Sequence, residues 1–162
     1  MKKALFTLSA AALIFVACSE NEDEGPANMA ADTTIGETEI TAADSVNFKT
    51  LIDGGASKTW MASAFTLAGL TTFTSCRLDD AVVFNADGTY MYNGGMNLCG
   101  AEDNEQIKSG TWTLDFSNTM LLFDIGTPNE ASAEVIGLTE IEIRLDGSYM
   151  AMEVRGVYTA SE

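Results

Sequence analysis

The side chains best able to do chemistry in this sequence are three cysteines, Cys18, Cys76 and Cys99, and a large excess of carboxylates. The chain of 162 residues carries 24 acidic and 8 basic side chains, a formal charge of −16, and no histidine. Lacking histidine, it has no usual zinc ligand, no common general base near neutral pH and no Ser-His-Asp or Cys-His site. The carboxylates do not fill that gap. Asp79 and Asp80 are adjacent, so on a strand they point to opposite faces and cannot share one substrate atom. Asp87-Gly88 has the chemistry of a turn rather than of calcium ligation. Glu102-Asp103-Asn104-Glu105 is an oxygen-rich stretch, readable as a solvated loop or as a weak calcium site. The few lysines and arginines are scattered, and an acidic surface repels phosphate, which argues against nucleic acid as a partner. The expectation is a non-enzymatic protein with no cofactor and no metal.

Cys18 belongs to a different chemistry. Met1-Lys2-Lys3 is a short positive segment, and the apolar run from Ala4 to Ala17 is shorter than the roughly 20 residues a membrane span needs. It reads as a secretory signal. Its end, Phe15-Val16-Ala17-Cys18, resembles the bacterial lipobox, which implies cleavage after residue 17 and lipidation of Cys18. Acyl chains at that position would tether the protein to a membrane at about 0.8 kcal/mol per buried CH₂. Ser19, rather than Asp, follows the cysteine and favours the outer membrane. The acidic stretch Ser19 to Glu24 resembles the export signal of surface-displayed lipoproteins of Bacteroidota, so the cell-surface side is expected; a solvated spacer is the alternative.

From Ser19 to Ala43 there are seven acids and no lysine, arginine or aromatic residue. Such a segment buries too little apolar area to offset its backbone entropy, so residues 18–43 are expected to be a disordered tether. Cys76 and Cys99 then remain as an even pair in an exported chain, where a disulfide is favoured. Bridging 76 to 99 would be worth roughly 3 kcal/mol in chain-entropy terms. A zinc site or a CxxC redox motif is poorly supported by two thiols so spaced.

The elements that would position these groups begin at about residue 44. Asp44 or Ser45 can cap a short helix carrying Val46, Phe48, Leu51 and Ile52, which Gly54-Gly55 ends. The period then changes to two. Strands are expected at 59–67, 81–85, 89–93, 110–116, 119–125, 133–138, 140–145 and 149–158, with turns at Ala86-Asp87-Gly88, Ser117-Asn118 and Asp146-Gly147. Trp112, Leu114 and Phe116 alternate with Thr111, Thr113 and Asp115, which is one buried face and one wet face. About eight strands joined by short connections, without crossover helices, describe an all-β antiparallel meander over 44–162. Closing it into a barrel removes exposed edges; a two-sheet β-sandwich is the alternative.

Within that frame Trp60 and Trp112 either line a pocket or plug one end of a barrel as core. Tyr90 and Tyr92 share one strand face and form either a ligand platform or cross-strand packing. Met150, Met152 and Val154 are expected to point inward, where methionine suits a promiscuous apolar cavity or an irregular core.

Ser57-Lys58-Thr59-Trp60, Cys76-Arg77-Leu78-Asp79-Asp80, Phe84-Asn85-Ala86-Asp87-Gly88-Thr89-Tyr90, Cys99 and Gly110-Thr111-Trp112 together resemble the lipocalin-like lipoproteins of Bacteroidota. The resemblance is strongest over 57–114 and implies an eight-stranded lipocalin-like barrel; it implies no activity. The function expected is a lipid-anchored module for a small apolar or amphipathic ligand. The alternative is a structural or protein/glycan-interaction lipoprotein with a packed barrel, whose partner would lie at the cell surface.

Overall fold

The computed structural model describes residues 35–71, 74–99 and 107–161. The signal segment, Cys18, the acidic stretch after it and Glu102 to Glu105 lie outside the described residues.

Helix α1 spans Ser45–Asp53. The Asp44 side chain caps it by accepting the Asn47 N–H at 2.8 Å, and Gly54 ends it in the left-handed conformation at φ 66°. Its buried face carries Phe48 and Ile52, while Val46, placed on that face by spacing alone, is exposed.

The strands are β1 (Ser57–Leu67), β2 (Ala81–Asn85), β3 (Thr89–Asn93), β4 (Ile107–Asp115), β5 (Met120–Phe123), β6 (Ala131–Leu138), β7 (Glu142–Tyr149) and β8 (Met152–Ala160). A one-turn helix α2 (Thr74–Arg77) lies between β1 and β2, and a 3₁₀ turn, Phe116–Asn118, joins β4 to β5. Every strand pairs antiparallel with its sequence neighbour, and β1 pairs with β8, so the sheet closes into an eight-stranded barrel rather than a sandwich. Closure leaves no free edge.

Two local features depart from the strand pattern expected from sequence. Asp146 and Gly147 lie inside β7, paired with Arg155 and Val154, and the turn falls at Met150-Ala151, both with positive φ. The ladder runs unbroken from Glu142↔Thr159 to Tyr149↔Met152, and interrupting it at Gly147 would forfeit its last pairs. In addition, a bulge between Ala62 and Ala64 shifts the inward set of β1 from Trp60 and Ala62 to Phe65 and Leu67.

Residues 35–41, inside the segment expected to be a disordered tether, pack against the barrel. Ile35 is buried, Thr38 N–H donates to the Ile136 carbonyl at 2.9 Å, and Ile40 bridges Leu138 in parallel. Arg144 and Arg155 hold this segment through the carbonyls of Gly36 and Ile35, each at 2.9 Å. Two buried or bridging isoleucines and two arginine contacts offset the ordering entropy that the acidic composition alone would not.

The core occupies the α1 end of the barrel. Phe48 and Ile52 pack with Trp60, Phe84, Trp112, Leu121, Leu138 and Ile143. Polar atoms at this end are tied to backbone carbonyls: Trp60 Nε1 donates to Ile52 at 2.8 Å, Trp112 Nε1 to Asn85 at 3.1 Å, and Lys58 Nζ to Leu51 at 2.8 Å. Lys49 reaches Ala86 O at 2.9 Å and pairs with buried Asp53. With its donors satisfied, α1 plugs this end.

Candidate ligand-binding site

The opposite end carries no such plug among the described residues. Alternation along β6, β7 and β8 puts Val135 and Ile143 inside toward α1, and Ala131, Leu145 and Val154 inside toward the open end. Core side chains and α1 fill one half of the barrel, and the other half encloses a cavity of about 620 Å³. That lies within the usual range of small-molecule sites, roughly 300–1,000 Å³. The apolar wall includes Phe65, Leu67, Val82, Phe84, Phe123 and Val154. Tyr90 packs edge-on against Phe123 at 5.3 Å between ring centres.

A polar cluster interrupts this wall. Arg77 Nη1 donates to Tyr92 Oη at 2.7 Å and lies 3.2 Å from Asp80 Oδ2, and Tyr92 Oη donates to the same carboxylate oxygen at 2.6 Å. Asp80 is buried, and this pairing at Oδ2 offsets part of the cost of desolvating its carboxylate. The Arg77 guanidinium also sits 5.7 Å from the Phe65 ring centre. Tyr158 lines the cavity nearby; burial and then the Asp80 carboxylate push its phenol up to about 12, against the opposing pull of Arg77. Tyr90 is pushed up to about 12 by burial and by its hydrogen bond to Asp124, 2.8 Å away. Both phenols are therefore neutral donors across the physiological range.

The Cys76–Cys99 disulfide secures this end. It joins α2 to the loop after β3, with Cα atoms 5.2 Å apart, and Cys99 itself borders the cavity. Asp79, next to buried Asp80, points instead to that loop and accepts the Met96 and Asn97 N–H groups at 2.7 and 3.1 Å. The Met96 N–H, chiefly, holds the Asp79 carboxyl below the usual carboxylate range. The two adjacent aspartates thus do separate work, one inside and one out.

Of the residues expected to line a ligand site, Tyr90 and Tyr92 border this cavity. Trp60 and Trp112 do not: both are buried in the core at the plugged end, Trp112 edge-on to Phe84 at 5.1 Å. Trp112 borders a second, shallower groove of about 580 Å³ between α1 and the β2–β3 turn. Met150 and Met152 also lie outside the cavity, 73% and 38% exposed. Met150 occupies the β7–β8 turn and Met152 the first position of β8, so correct alternation leaves them beyond the barrel rim.

Several lining residues were not identified from sequence. Phe65 and Leu67 were hidden by the β1 bulge, and Arg77 and Asp80 by their place in a loop-rich segment. Lys108 precedes the expected start of β4, and Leu145 and Tyr158 carried only an alternation signal; Val154, expected to point inward, does so.

Among the described residues no group of three His, Cys, Asp or Glu side chains could hold a metal ion, and no helix is long and apolar enough to cross a membrane. No curated protein and no solved structure matches the chain. The family model of the lipocalin-like domain matches residues 18–145, from Cys18 into β7. With that match over most of its length, and with eight antiparallel strands closed around a one-ended cavity, the chain belongs to the lipocalin-like domain family.

Proposed function

We propose that the protein is a non-enzymatic binding module that holds a small apolar or amphipathic molecule in the open end of its barrel. The observation that carries this reading is the cavity of about 620 Å³, walled by aromatic and aliphatic side chains and interrupted by one polar cluster. Lipocalin-like domains are typically binding proteins, which supports the same reading. A structural lipoprotein with a packed barrel is less well supported, because packing fills only the α1 half.

The module is tethered to the outer membrane through acylated Cys18, on the cell-surface side. Support for this is the lipobox-like Phe15-Val16-Ala17-Cys18 and the acidic stretch that follows it.

Native mass spectrometry of the chain extracted from its own host tests the binding reading. The expected spectrum shows a non-covalent adduct of small-molecule mass, lost on gentle activation while the lipidated protein mass remains. A spectrum with no adduct under conditions that preserve known weak complexes counts against a resident ligand.

A further inference from the structure

The electrostatics of the cavity oppose those of the molecule around it. The chain carries a formal charge of −16, yet among the described residues the charged side chains lining the cavity are Arg77, Lys108 and Asp80, one positive charge in excess. Arg77 and Asp80 are committed to each other and to Tyr92. Lys108 is not so committed: it forms no ion pair or hydrogen bond with another described residue. It stands on β4 directly across from Tyr92, near the open end, and its exposed side chain borders an otherwise largely apolar space.

From this arrangement we infer that the ligand is amphipathic with a single anionic head group, such as a carboxylate, which Lys108 receives at the mouth while the apolar tail enters the cavity. An ammonium at the boundary between water and an apolar wall favours a ligand whose charge and tail are separated in the same way. The exposed position of Lys108 limits the gain to that of a solvent-accessible ion pair. Head-group preference is thus a modest term added to tail burial, and it is sensitive to salt. This inference rests on the cavity being a ligand site.

Cis-parinaric acid and its methyl ester share one fluorescent tail and differ only in the charged head, so titrating each into the full-length chain separates the two claims. The expected result is binding of both, the acid about fivefold tighter at low salt. Lys108→Gln should remove that preference, and Lys108→Arg should retain it. Equal affinity for acid and ester in the wild-type chain, or an unchanged preference in Lys108→Gln, overturns the head-group assignment while leaving the cavity as a ligand site. Failure of both probes to bind overturns the cavity reading along with it.

Discussion

The carboxylate of Asp124 lies against the inward face of Gly110, where it accepts the Thr111 N–H and the Tyr90 hydroxyl, each at 2.8 Å. One side chain thereby fixes a cavity-lining phenol and closes the rim after β5. A methyl group at position 110 would collide with that carboxylate. Gly110→Ala is therefore expected to lower unfolding free energy by about 1–3 kcal/mol, through overpacking and the loss of hydrogen bonds. Urea denaturation of the four corners of a double-mutant cycle checks this: the cost of Gly110→Ala should shrink in an Asp124→Ala background, and equal costs in both backgrounds would contradict it. Gly110 was legible as part of a Gly-Thr-Trp motif, but the reason for its glycine was not, because Asp124 approaches from another strand. Inward alternation correctly placed Tyr90 and Tyr92 on one face. Alternation gives the face and says nothing of depth along the barrel axis, which is why Trp60 and Trp112, also inward, proved to be core.

At the scale of elements, most hairpins follow from local chemistry. The β2–β3 turn is held by Gly88 at φ 85° and by the Asp87 carboxylate, which accepts the Thr89 N–H at 2.9 Å. The β7–β8 turn has no such chemistry, since Met150 and Ala151 adopt φ 49° and 63° without glycine or asparagine. An Asp-Gly pair four residues earlier carried the stronger local turn signal, and cross-strand pairing overrode it. The left-handed conformation costs a non-glycine residue roughly 1–2 kcal/mol. Ala151→Gly should accordingly raise stability by about 1 kcal/mol, read as a higher Tm in thermal denaturation. An unchanged or lower Tm would mean that the turn is not strained as its dihedral angles indicate. The bulge in β1 escaped notice for a related reason: it arises from how β1 must bend to pair with β2 on one side and β8 on the other.

For the whole molecule, the decisive property is the uneven filling of one closed barrel. Strand number and antiparallel order were legible as a succession of short alternating runs, whereas closure was legible only through the family resemblance and not from periodicity, because β1 and β8 lie at opposite ends of the domain sequence. Nor could the cavity be read from composition: its wall is assembled across several strands, from Phe65, Phe84, Phe123 and Val154 among others. The disulfide secures the cavity end and α1 the core end, so each end has its own constraint. The central claim is that the open half receives a ligand. It is tested most directly by titrating the neutral apolar fluorophore N-phenyl-1-naphthylamine into the wild-type chain and into Ala131→Phe, whose ring would project into the cavity. The account predicts saturable one-to-one enhancement for the wild type and at least about tenfold weaker binding for the variant, with circular dichroism unchanged. Enhancement that never saturates, or equal affinity in the two chains, would contradict it.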